Sequence, residues 1–420
     1  MKFFKSISFL FITVIFFSVV FARNLYAASP TWSNGISLPQ GLYLSTSVQY
    51  NGYEYVIGGS NSLAPLSTVY YSQIGSNGEL GSWNTTTSLP VGLGDSTSVE
   101  YNGYIYEIGG SNGTANINTV YYSQVGSNGV LGTWNTTTSL PVSLSEATSI
   151  EYNGYIYEIG GNTSLSPVNS SASVYYSKIG TNGVLGAWNT ATSLPVSLSE
   201  ATSVEYNGYI YEIGGSSVSS GAGTPSSAVY YSQVGTNGVL GSWNTTSALP
   251  QNIINSSSVV SNSGYLYELG GATGSSGAIQ STVYYTQIGT SGTIGTWNST
   301  TSLPQAAQWV MSTIVSNGTG FNLLTIGGMN ATLSSIPNTY YIPMESNGTL
   351  GLASVTSPTT TTTTTTTNTN TKVLPNTGFN LPTYILSILG VFLFLIGFSV
   401  VYYSKFKTRN FKVRFSKKSN

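Results

Sequence analysis

Six tryptophans, Trp32, Trp83, Trp134, Trp188, Trp243 and Trp297, recur at spacings of 51, 51, 54, 55 and 54 residues. Each is followed six residues later by a Leu-Pro pair, from Leu38-Pro39 through Leu89-Pro90, Leu140-Pro141, Leu194-Pro195 and Leu249-Pro250 to Leu303-Pro304. A glycine doublet also occurs six times, ending at Gly59, Gly110, Gly161, Gly215, Gly271 and Gly328. This period constrains the fold more than any local pattern. A block of about fifty residues buries its apolar faces only against copies of itself, so the chain must stack its units.

Within one unit the pattern is that of short strands. Residues 201–206, "ATSVEY", form the first, and Asn207-Gly208 is a hairpin turn because both residues tolerate positive φ. "YIYEIGG" is the second, and a variable loop follows it. Residues 228–235, "AVYYSQVG", are the third; "TNGVLG" turns the chain, and residues 242–250, "SWNTTSALP", are the fourth. Four antiparallel strands per unit predict a propeller blade. The ends suggest how the ring closes. Residues 31–39 carry a Trp and a Leu-Pro with no hairpin before them, and the last unit has Ala353 where its Trp is due. The expectation is that residues 32–37 supply the outer strand of the last blade, which removes an open edge. The rival is that residues 350–355 supply it.

Composition excludes much chemistry. The chain has no Cys and no His, which removes thiol catalysis, disulfides, ordinary zinc and copper sites and Ser-His-Asp systems. Carboxylate chemistry or oxygen-ligated calcium remains. Every Asp and Glu lies between Glu54 and Glu345, and the only basic residue between Asn24 and Thr371 is Lys178. A mildly acidic central region without Arg is a poor partner for nucleic acid.

The repeated residues resemble the kelch repeat family, related to the galactose-oxidase-like propellers: a glycine doublet closing the second strand, an aromatic in the third and Trp in the fourth. The resemblance covers residues 32–351 and implies an all-β, six-bladed propeller of four-stranded blades, usually a binding platform. It departs in one respect, since many kelch units carry Arg after the fourth strand and this region has none. Fold alone does not name a ligand.

The ends of the chain read as targeting segments around a propeller at residues 29–353. Residues 1–28 open with Lys2 and Lys5, continue with an apolar run and end in small residues, as in a secretory signal peptide. Residues 354–373 form a Thr-rich stalk that can bury nothing. Residues 384–403 hold no charge and are long enough for one transmembrane helix. The tail at 404–420 carries seven basic residues, which places it in the cytoplasm and the propeller outside. Leu374, Pro375, Asn376, Thr377 and Gly378 precede the span, and LPNTG, span and basic tail in that order resemble the cell-wall sorting signal read by sortases. The resemblance implies cleavage between Thr377 and Gly378, with retention of the helix as anchor left open. Asn-x-Ser/Thr acceptors recur with the frame at Asn84, Asn135, Asn244 and Asn298, so a glycosylating host could modify the fourth strands.

The candidate site lies where the units differ. The loops after the glycine doublets, residues 60–68, 111–119, 162–173, 216–228, 272–282 and 329–338, are expected on one face. On that face, six residues past each Leu of Leu-Pro, stand Leu44, Asp95, Glu146, Glu200, Asn255 and Trp309. Three adjacent carboxylates there read either as a calcium or polar-ligand site or as a solvated channel rim. Trp309 reads as a stacking platform for a sugar or as a channel plug. Glu100, Glu151 and Glu205, with Glu107, Glu158, Glu212 and Glu268, recur with the frame and read as structural acceptors for Tyr hydroxyls. The expected function is a surface-displayed binding or adhesion module for glycans or surface proteins, without a required cofactor and not an enzyme. The alternatives are a carboxylate-dependent glycoside-active enzyme and a purely structural envelope protein.

Overall fold

The structure is a computed structural model that describes residues 31–61, 64–218, 223–273 and 277–351. The expected signal peptide, stalk, LPNTG motif, membrane helix and basic tail all lie outside the described residues. No helix among the described residues is long and apolar enough to cross a membrane.

The described chain is all-β and built from repeated four-stranded antiparallel sheets. Sheet 1 runs Thr46–Tyr50, Tyr53–Ile57, Val69–Gln73 and Asn84–Thr85. Sheet 2 runs Thr97–Tyr101, Tyr104–Ile108, Val120–Gln124 and Asn135–Thr137. Sheet 3 is Thr148–Tyr152, Tyr155–Ile159, Val174–Lys178 and Asn189–Thr190. Sheet 4 is Ser199–Tyr206, Tyr209–Ser217, Val229–Gln233 and Asn244–Thr245. Sheet 5 is Ser257–Val260, Tyr265–Leu269, Val283–Gln287 and Asn298–Thr300. Sheet 6 is Met311–Ser316, Phe321–Ile326 and Thr339–Met344, and its outer strand is Ser33–Asn34 from the start of the chain.

That last pairing, Ser33 with Tyr341 and Asn34 with Tyr340, closes the sheet as the ends of the sequence predict. The first strand of each sheet packs beside that of the next, and that of sheet 6 beside that of sheet 1. The core is distributed between sheets. Tyr55, Ile57 and Leu93 pack against Ile105, Leu131 and Trp134 between sheets 1 and 2. The same pattern recurs around the ring, ending with Leu38, Met311 and Leu324 against Val56, Tyr70 and Leu80 between sheets 6 and 1.

The repeated residues make these junctions. Tyr55, Tyr106, Tyr157, Tyr211 and Tyr267 are fully buried, and each hydroxyl donates to a glycine carbonyl in the next sheet's outer hairpin, Gly129, Gly183, Gly238, Gly292 and Gly348, at 2.7–2.9 Å. Sheet 6 has no such tyrosine, and the Asn322 amide reaches the carbonyls of Asn77 and Gly78 in sheet 1 instead. The first glycine of each doublet sits at positive φ against the next unit. A Cβ on Gly160 would lie 2.5 Å from the Leu198 carbonyl, and one on Gly270 only 2.3 Å from that of Ala307. Only glycine fits there.

Three details differ from expectation. The fourth strands are two or three residues long, not nine. The chain leaves the ladder to deliver Leu-Pro to the core, while the Trp reaches back: Trp243 Nε1 donates to the Thr192 carbonyl of the preceding unit at 2.9 Å. Second, the variable loops contain small ladders of their own, including Asn162–Leu165 with Val168–Ser170 and Ala272–Thr273 with Ala278–Ile279. Third, the recurring glutamates do not take Tyr hydroxyls. Glu100, Glu151 and Glu205 accept the hairpin N–H groups of Gly103, Gly154 and Gly208, each at 2.8 Å. Glu107, Glu158, Glu212 and Glu268 are buried and accept Ser and Thr hydroxyls: Thr46 and Ser96 on Glu107, Thr97 and Ser149 on Glu158, Thr148 on Glu212, Ser256 and Ser258 on Glu268. The tyrosines are already committed to the glycine carbonyls. The first strands of adjacent sheets bring the small hydroxyls to the glutamates.

Candidate functional site

Leu44, Asp95, Glu146, Glu200, Asn255 and Trp309 all line one cavity of about 140 Å³. All six adopt left-handed backbone, with φ between 51 and 57°. Side chains other than Gly rarely do so, at a cost of roughly 1–2 kcal/mol each. A hydrogen-bond chain between the units imposes it. Asp95 N–H donates to the Leu44 carbonyl at 3.2 Å, Glu146 to Asp95 at 2.9 Å and Glu200 to Glu146 at 3.1 Å. Asn255 then donates to Glu200 at 3.0 Å and Trp309 to Asn255 at 2.7 Å. The backbone at this position is therefore part of the frame, whereas the side chain is set free of the repeat and turned to a shared space.

The loop after each doublet starts beside this ring. Gly94 pairs with Ser111, and Ser145 with Asn162. Ring and variable loops accordingly share a face. Asn162 is the residue that sequence reasoning missed: it is buried, and its amide Nδ2 donates to the Glu146 carboxyl while its Oδ1 has no partner among the described residues. It stands directly after the doublet, where Ser60, Ser111 and Ser216 stand in other units, so its residue type is the only sequence signal for it. Tyr43 was also missed; its ring lies 5.7 Å from that of Trp309, tilted by 40°. Adjacency to the ring position is the only sequence signal for it.

The carboxyls hold their protons unusually well. Burial, and then the nearby Glu200 charge, pushes Asp95 up to about 7. Burial, with Asp95 and Glu200 adding repulsion, takes Glu146 to about 8 against the opposing Asn162 amide. Glu200 is raised by burial and partly relieved by the Asn255 amide. Asp95 receives no hydrogen bond from the protein among the described residues, so its carboxyl is available to a ligand. Near neutral pH the cluster offers both O–H donors and carboxylate acceptors, the complement of a polyhydroxylated molecule. Among the described residues no group of three or more acidic side chains comes close enough together to hold a metal ion. Mutual repulsion of this kind favours shared protons over a second ionisation.

A ring of four-stranded antiparallel sheets, each packed face to face on the next, defines a β-propeller-like protein. The chain is similar to the solved structure of YjhT, with a TM-score of 0.60 over 76% of this chain and 100% of that one, at 16% identity. At that identity the likeness bears on the fold alone. No family model matches the chain, and no curated protein matches it by sequence.

Proposed function

We propose that this chain is a six-bladed, kelch-type propeller displayed at the cell surface, where it binds glycans or surface proteins through the loop face. The helix expected at residues 384–403, or a sortase-type linkage at Thr377, holds it to the envelope. The reading rests on one observation above all. At a single backbone position repeated around the ring, the frame is constant and the side chains are Leu44, Asp95, Glu146, Glu200, Asn255 and Trp309, all turned into one cavity. A merely structural ring would be served by one residue type throughout. Here acids, an amide and an indole are set against each other, the combination that hydrogen-bonds sugar hydroxyls and stacks on a sugar face.

The test is glycan-array and whole-cell binding by the purified protein, compared with a variant carrying Asp95→Asn, Glu146→Gln and Glu200→Gln. Binding is expected in the parent and at least a tenfold loss in the variant. Absence of binding to glycans and cells alike, together with absence of glycoside turnover, leaves the purely structural envelope protein as the answer. The raised pKa values of Asp95 and Glu146 favour one further reading, a glycoside-active enzyme using a protonated carboxyl as general acid. Turnover of aryl glycosides abolished by Glu146→Gln would establish it, and a parent protein without turnover would dismiss it.

A further inference from the structure

The opposite, hairpin face carries a second irregularity. In sheets 1 to 4 the first strand ends in a tyrosine, Tyr50, Tyr101, Tyr152 and Tyr206, that reaches over the hairpin glycine of the next sheet. Cβ atoms on Gly103, Gly154, Gly208 and Gly264 would lie 2.9–3.2 Å from those hydroxyls. Between sheets 5 and 6 both partners change. The strand register puts Ser261 where the tyrosine stands, since its N–H donates to Tyr265 as the ladder continues from Val260–Leu266. It puts Phe321 where the glycine stands, directly before the Asn322 that pairs with Val315.

The exchange leaves an open cleft of about 550 Å³ lined by Val259, Ile314 and Phe321 together with polar residues that include Ser261, Asn262 and Ser312. Phe321 is 42% exposed. The neighbouring register position is altered in the same direction. Where sheets 2 to 4 present Glu100, Glu151 and Glu205, sheets 5 and 6 present Val260 and Ile314. The cleft is thus of mixed polarity, aromatic-walled and of ligand size, at a seat that a phenol ring occupies four times elsewhere in the same ring.

We propose that this cleft is a binding site for a planar aromatic ring, of the class of small neutral phenols, which takes the place of the absent tyrosine. The ring stacks against Phe321 between Val259 and Ile314, which belong to the cluster packed between sheets 5 and 6, and its hydroxyl meets that of Ser261. The site is separate from the acidic cavity on the loop face and independent of what that cavity binds.

The probe is p-cresol, the side chain of tyrosine, titrated into the full chain and followed by ligand-observed NMR and calorimetry. A ligand this small is expected to bind with a Kd on the order of 1 mM. Cyclohexanols of similar size should bind at least tenfold more weakly. Ser261→Tyr, which restores the tyrosine of the other sheets, should abolish cresol binding and raise the thermal midpoint. Phe321→Gly, which restores the glycine, should weaken binding at least tenfold and provides the test if Ser261→Tyr does not fold. Overturning results are no saturable binding at ten times that concentration, equal binding of the cyclohexanol, or binding unchanged in Phe321→Gly.

Discussion

Glu158 offers the sharpest test of how burial governs this protein. It is 1% exposed, between sheets 2 and 3, and burial pushes its carboxyl from 4.5 up to about 8 despite hydroxyl donors from Ser149 and Thr97. In the unfolded chain the same group ionises near 4.5. Between those values the native state binds the extra proton, so the free energy of unfolding falls as pH rises and levels off above about 8. Each pKa step corresponds to about 1.4 kcal/mol, which gives a ceiling of roughly 5 kcal/mol for this single residue. Glu158→Gln keeps the shape and an acceptor but does not titrate. Urea unfolding followed by tryptophan fluorescence, at about pH 4 and about pH 9, measures the loss in parent and variant. The parent should lose roughly 2–5 kcal/mol more than the variant across that range. Equal losses would refute the claim that a buried, proton-holding glutamate sits at this junction.

Other outcomes follow from the same contacts. Tyr157→Phe removes the hydroxyl that donates to the Gly238 carbonyl at 2.7 Å and should cost about 1–2 kcal/mol by chemical denaturation; a neutral effect would mean that the bond is not formed. Gly160→Ala places a Cβ 2.5 Å from the Leu198 carbonyl at positive φ and should destabilise by at least ~2 kcal/mol, read as a lowered thermal midpoint. Removing residues 29–39 takes away the outer strand of sheet 6 and the buried Leu38, and calorimetry should show a loss of about 3 kcal/mol or more. An unchanged midpoint would show that another segment closes the sheet.

The similarity to YjhT and the repeat agree on the fold, yet they bear on different things. A TM-score of 0.60 at 16% identity reflects a shared arrangement of sheets and bears on nothing beyond it. The two irregular places, the acidic cavity on one face and the aromatic cleft on the other, are both departures from an otherwise uniform frame. Ligand selectivity on a repeated scaffold has to come from such departures, because equivalent residues present equivalent surfaces.

Periodicity alone determined the all-β class, the length of the unit, the Asn-Gly hairpins and the position of the six ring residues. Those features are local or recur at fixed spacing, and hairpin turns and strand alternation are set by residues close in sequence. The closure of sheet 6 by residues 33–34 was also legible, since the two incomplete units at the chain ends complement each other. Tertiary structure alone decided the partners. Tyr157 and Glu158 are neighbours in sequence on opposite faces of one strand, so their side chains enter different junctions, one toward sheet 4 and one toward sheet 2. The expectation that the recurring glutamates accept Tyr hydroxyls fails for this geometric reason, which spacing does not reveal. Asn162 and Phe321 were invisible for a related reason. Each acts on a residue from a different strand: the ladder of sheet 3, extended by the Ser145–Asn162 pair, brings an unrepeated amide to Glu146, and the packing of sheet 6 on sheet 5 brings an unrepeated ring to the position that the tyrosines take elsewhere.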